Sequence, residues 1–149
     1  MAKLLIIYGS TTGMTELVAL EVEKTLIAES VEVELKNVLD SNITDLEPYE
    51  YILFGVSTWD FGALQYDFEV FHEQLKDFDM TGKKFSVFGT GDKSYGESYC
   101  EAVRIVKKTC LDRNGELLIE RLEIECDLTD DRLQIVRDWA KQVASKLQN

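Results

Sequence analysis

Four hydroxyl side chains and two glycines are packed into the seven residues Gly9-Ser10-Thr11-Thr12-Gly13-Met14-Thr15. An apolar run precedes the segment and a stretch of helical period follows it, so it should open a helix. A phosphate at a helix N-terminus is held by converging N–H and O–H donors, and glycine lets the backbone approach it closely. The loop carries no Lys or Arg. A Walker-type triphosphate site needs Gly-Lys-Ser/Thr, and a dinucleotide fingerprint needs its third glycine in register, so both are excluded. A phosphomonoester held by neutral donors suits these residues. Ser and Thr are equally ordinary N-caps, and the loop alone leaves both readings open.

Two further segments carry aromatic residues where strands should end. In Gly55-Val56-Ser57-Thr58-Trp59-Asp60-Phe61-Gly62, Trp59 and Phe61 follow an almost wholly apolar run. An aromatic at a strand's exit suits stacking on a planar ligand, or else a hydrophobic lid over the core. In Gly89-Thr90-Gly91-Asp92-Lys93-Ser94-Tyr95-Gly96 a second aromatic stands among turn residues. Two aromatics on adjacent loops can sandwich one ring. Asp92 can hydrogen-bond the N–H groups of a heterocycle or cap a helix near Glu97, and the residues do not separate these roles.

Other chemistry is poorly supplied. The three cysteines, Cys100, Cys110 and Cys126, match neither a zinc framework nor a secreted disulfide scaffold, which predicts reduced thiols and no metal site. His72, the single histidine, falls in Phe71-His72-Glu73-Gln74-Leu75 with no catalytic partner nearby in sequence, and is expected on a solvated helix face. A phosphoacceptor domain needs acidic residues after the first strand and an Asp after the third, where this chain has Gly9-Ser10 and Ser57-Thr58. A low-molecular-weight phosphatase needs Cys and Arg around its phosphate loop, and the first Cys is Cys100. Hydrolysis lacks a nucleophile.

The elements that must position these loops are legible from periodicity. Short β-rich runs at Leu4–Tyr8, Val31–Lys36, Tyr51–Val56, Phe85–Phe88 and Leu117–Ile124 alternate with segments of helical period. The helical stripes are Val18, Val22 and Leu26; Phe68, Phe71, Leu75 and Phe78; Tyr99, Val103, Val106 and Cys110; and Leu133, Val136, Ala140, Val143 and Leu147. Alternation of strand and helix predicts an α/β fold, a doubly wound five-stranded parallel sheet with helices on both faces. Val31, Val33 and Leu35 alternate with Glu32, Glu34 and Lys36, which marks an edge strand, whereas Tyr51–Val56 reads as central. The order 2-1-3-4-5 follows. In such a sheet ligands bind where the order reverses, beyond the carboxyl ends of strands one and three. The functional loops are therefore expected at 9–15, 56–62 and 89–96, the segments already singled out.

With 149 residues the chain should form one domain, residues 1–149, around one core. Its 28 acidic against 16 basic side chains give a charge of −12, which repels phosphate backbones and anionic lipid surfaces and favours a basic protein face. Nucleic acid and membrane are not expected partners. Leu4–Tyr8 is too short for a signal h-region and no later run approaches a membrane span, which predicts a soluble, cytoplasmic protein.

Taken in order, Ser-Thr-Thr-Gly-x-Thr, Ser-Thr-Trp and Thr-Gly-Asp-x-x-Tyr closely resemble the loops of flavodoxins, the small FMN-containing electron carriers, and the likeness runs from Lys3 to the final helix. The resemblance implies that Ser10, Thr11, Thr12, Gly13, the Met14 backbone and Thr15 hold the FMN phosphate. It implies that Trp59 and Tyr95 flank the isoalloxazine. The backbone of residues 58–62 and 90–95, among them Thr58, Asp60, Phe61, Gly62, Thr90 and Gly91, with the Asp92 side chain, then meets its polar edge, the Phe61 N–H donating to flavin N5, and Ser57 and Ser98 also belong to the cofactor site. Three features depart from the usual pattern. Met14 replaces the customary Asn, removing a hydrogen bond within the phosphate loop. Asp60-Phe61-Gly62-Ala63-Leu64-Gln65 and Tyr95-Gly96-Glu97-Ser98-Tyr99 have the spacing of the long-chain group. Glu116–Leu128 nevertheless has no room for the long-chain insertion.

The resemblance implies a monomeric, low-potential one-electron carrier with non-covalent FMN and no substrate of its own, able to substitute for a ferredoxin. Its partners would be basic-faced redox proteins such as NADPH-dependent flavin reductases and ferredoxin-dependent enzymes. The alternatives are a specialised flavodoxin-like protein serving one enzyme, such as a radical-generating activator of ribonucleotide reductase, or an FMN-binding module without electron traffic. An enzyme would need an acid/base group and a pocket for a second reactant, for which the chain leaves little room.

Overall fold

The computed structural model describes residues 3–9, 13–59, 63–64, 66–92, 100–125 and 127–147. Within them the strands are β1 (Lys3–Tyr8), β2 (Glu32–Asn37), β3 (Tyr51–Trp59), β4 (Ala63–Leu64), β5 (Lys84–Gly91), β6 (Glu116–Leu117) and β7 (Leu122–Glu125). The helices are α1 (Met14–Ala28), α2 (Tyr66–Leu75), α3 (Glu101–Asp112) and α4 (Asp130–Leu147), with short 3-10 turns at Val38–Asp40 and Ile43–Leu46. The main sheet runs β2-β1-β3-β5 and then β6 and β7, both on the far edge of β5 and all parallel. This is the expected order once β6 and β7 are counted as one strand.

Alternation along the strands divides the core into two. Leu4, Ile6, Leu53 and Phe88 face α1 and α4, packing on Val18, Val22, Val136 and Ala140. Leu5, Ile7, Phe54 and Val87 face α2 and α3, packing on Phe68, Phe71, Val103 and Val106. Both faces being covered makes β1, β3 and β5 largely apolar and buried, while β2 keeps its alternating exposure at the edge. Arg137 of α4 donates to Glu21 of α1 at 2.7 Å, tying the two helices of one layer together.

Two sequence expectations need correction. The fifth strand is not continuous over Leu117–Ile124, because Leu118–Arg121 leave the ladder between β6 and β7. The Leu118 N–H still donates to the Phe85 carbonyl of β5 at 2.7 Å, but Ser86 Oγ donates to the Ile119 carbonyl at 2.9 Å and Trp139 Nε1 to the Glu120 carbonyl at 2.9 Å. Side chains distant in sequence thus satisfy a break that a continuous apolar run conceals.

His72 is not solvated. It is 4% exposed, and its Nε2 lies 2.7 Å from Thr109 Oγ1 across the contact between α2 and α3. Thr109 donates its own proton to the Ile105 carbonyl, so the imidazole must donate from Nε2, which fixes a neutral tautomer. Burial, assisted by Lys76, holds the His72 pKa below its ordinary value. The unfolded chain therefore takes up this proton before the folded one, and stability falls as pH drops through the ordinary histidine range near ~6.5. Urea unfolding of His72→Gln should lose less stability between pH 7 and 5.5 than the parent does, and parallel losses would refute the assignment.

Candidate functional site

The carboxyl ends of β1, β3 and β5 come together as the strand order requires. The ladder continues past Tyr8, where the Gly9 N–H donates to the Gly55 carbonyl at 3.0 Å. Ser57 of β3 pairs with Thr90 of β5. Residues 56–59 and 89–91, expected as loops, are strand, and β4 returns antiparallel with Thr58 opposite Leu64 and Trp59 opposite Ala63. The ladder extends this far because glycine lets neighbouring layers close over it. A Cβ on Gly89 would overlap the Val56 carbonyl and Val103 Cγ2, and one on Gly55 would lie 2.5 Å from the Phe88 ring.

The helix following β1 opens on Gly13, whose φ of 91° is left-handed and which carries the N-cap position without a side-chain cap. Intrahelical bonding starts with the Leu17 N–H to the Gly13 carbonyl at 3.0 Å. Met14, Thr15 and Glu16 thus carry the first-turn N–H groups that bonding within the helix does not use, and a Cβ on Gly13 would meet nothing within 4 Å. That is an open, donor-rich helix end. Met14 is half-buried. Thr15, 1% exposed, sends its hydroxyl to that of Thr90 at 2.8 Å.

The sequence points neither to Tyr8 and Cys100 as neighbours of this end nor to the side-chain partner of Thr58. Tyr8 donates to Glu16 Oε2 at 2.8 Å, joining β1 to the first turn of α1. Burial first, then the Glu16 hydrogen bond and charge, push the Tyr8 pKa up to about 12, so the phenol stays a donor at neutral pH. Thr58, expected to contribute backbone, accepts from the Ala102 N–H at 2.9 Å and so satisfies an early amide of α3, a cap of ~1 kcal/mol. Cys100 occupies the N-cap position of α3 at φ 52°, with its buried thiol 3.8 Å from the carbonyls of Gly89 and Ile124. Only the bond between Thr15 and Thr90 had a partial signal, since both residues belong to the singled-out loops.

Asp92 is exposed at the end of β5, and Gly91 is buried against Cys100, 2.8 Å from its nitrogen to a would-be Cβ. Ser10, Thr11, Thr12, Asp60, Phe61, Gly62, Tyr95 and Ser98 lie outside the described residues, as does the side chain of Trp59. Among the described residues no group of three His, Cys, Asp or Glu side chains could hold a metal ion, and no helix is long and apolar enough to cross a membrane. Cys100 and Cys110 are buried thiols outside any disulfide, Cys110 with a pKa raised by burial.

A family model described as Flavodoxin matches residues 6–139. The chain belongs to the flavodoxin family. A flavodoxin of Maridesulfovibrio salexigens is 40% identical over 151 residues, covering 99% of this chain and 100% of that one. Probable flavodoxin 1 of Bacillus subtilis is 34% identical, covering 95% and 89%. The crystal structure of oxidised Flavodoxin 2 from Bacillus cereus superposes with a TM-score of 0.91 at 36% identity, covering 97% and 99%. Flavodoxins are FMN-binding electron-transfer flavoproteins rather than substrate-converting enzymes, and this chain is one of them. The described part of the site fits that cofactor. A helix N-terminus that opens on a left-handed glycine suits its phosphate, and the ends of three strands beside it suit a ring.

Proposed function

We propose that the whole chain acts as one cytoplasmic, monomeric, low-potential electron shuttle between redox proteins. The observation that carries the site assignment is the left-handed opening of α1 at Gly13, at the point where the strand order reverses. In this reading Ser10, Thr11, Thr12, Thr15 and the first N–H groups of α1 hold the phosphate of FMN. Trp59 and Tyr95 enclose the ring, while the peptide between Asp60 and Phe61, with Gly91 and Asp92, meets its polar edge. FMN supplies one-electron transfer through an exposed ring edge.

The protein binds, orients and sets the field. A charge of −12 opposes any further negative charge at the site, which pushes the second electron's potential down. The same charge attracts a basic partner face. Association with a basic-faced flavin reductase should therefore slow as salt screens the attraction, the Debye length falling from ~30 Å at 0.01 M to ~10 Å at 0.1 M. Stopped-flow electron transfer measures this, and a rate independent of ionic strength would contradict electrostatic docking.

A further inference from the structure

Resting on the phosphate site just assigned, we propose that Thr90 is a positioning residue for phosphate recognition, its hydroxyl setting the direction in which Thr15 presents its single proton. Thr15 and Thr90 are separated by 75 residues, yet their Oγ1 atoms lie 2.8 Å apart, and either can donate. The two residues are 1% and 2% exposed, so water does not compete for the bond.

A hydroxyl has one proton and two acceptor positions. Phosphate oxygens accept and do not donate, so a phosphate at the helix end claims the Thr15 proton. Thr15 Oγ1 can then only accept from Thr90. The ligand thus selects one of the two directions: Thr90 donates to Thr15, and Thr15 donates to phosphate. Each bond polarises the next. Without the Thr90 hydroxyl, Thr15 loses its donor and one rotational constraint together.

Placement strengthens the argument. Thr15 is the second residue of α1, on the turn whose N–H groups lack intrahelical partners. Thr90 stands directly before Gly91 and Asp92 at the end of β5 and pairs with Ser57 of β3. The bond therefore clamps the phosphate end of the site to the two strands that lead into the ring segments.

The test measures FMN and riboflavin dissociation constants by flavin fluorescence quenching for the parent, Thr90→Val, Thr90→Ser, Thr15→Val and the double valine variant. Urea midpoints of the apoproteins establish that each folds. Thr90→Val should weaken FMN about tenfold, ~1.4 kcal/mol, while riboflavin shifts by less than about twofold. Thr90→Ser should restore FMN binding, and the double variant should bind FMN no more weakly than Thr15→Val. Equal weakening of both flavins by Thr90→Val, or an unchanged ratio between them, would overturn the positioning role while leaving the phosphate site standing. A parent protein that binds both flavins equally would instead overturn the phosphate site, and the proposal with it.

Discussion

FMN should bind the apoprotein at least about a hundredfold more tightly than riboflavin, a difference of ~2.7 kcal/mol. The two ligands differ only in the phosphate, so the ratio isolates the helix end from the ring. Hydrogen bonds to charged groups contribute ~1.5–3 kcal/mol each in net terms, and three N–H groups at the start of α1 together with Thr15 offer more than two. The opposing effect is the chain's charge of −12. Exposed charges act over only ~8 Å at physiological salt, whereas hydrogen-bond donors act in contact. Glu16, the closest described carboxylate in sequence, is engaged by the Tyr8 hydroxyl. Short-range donors therefore win. Fluorescence titration of the apoprotein with each flavin gives the ratio, and equal affinities would remove the phosphate from the account.

Gly89→Ala should cost roughly 3 kcal/mol or more, because the added Cβ overlaps a backbone carbonyl that no rotamer change can move. Relief requires β3 and β5 to separate at Val56 and Gly89, one residue before the pair Ser57 and Thr90. The fold and the site should suffer together, with a clear fall in urea midpoint and in FMN affinity. Gly13→Ala is the contrasting case. Its Cβ meets nothing within 4 Å, so only the left-handed φ of 91° opposes it, at about 1 kcal/mol. If Gly89→Ala proves no less stable than Gly13→Ala in urea, the close packing of β3, β5 and α3 is wrong.

Wherever local pattern decides the structure, the sequence could be read. Glu32, Glu34 and Lys36 alternate with apolar residues because β2 has a neighbour on one side only, and that pattern survives without any knowledge of tertiary contacts. From the position of β2 follows the strand order, and from the order the place where the strand ends of β1, β3 and β5 meet. Failures came where a distant side chain settles a local question. The fifth strand breaks because Ser86 and Trp139 take over its carbonyls. His72 is buried because Thr109 accepts its proton across a helix contact, and nothing in Phe71–Leu75 signals that. Within the site, Thr15 and Thr58 were picked out by type, but their partners lie 75 and 44 residues away. Hydroxyls in loops look alike until the fold chooses their acceptors.

Potentiometric titration of the FMN-reconstituted protein, followed by visible absorbance, decides whether the chain carries single electrons. One flavin per chain and two separated one-electron steps are expected, the second at low potential because the acidic chain resists added negative charge. A single two-electron step, or an apoprotein that retains no flavin, would contradict this expectation.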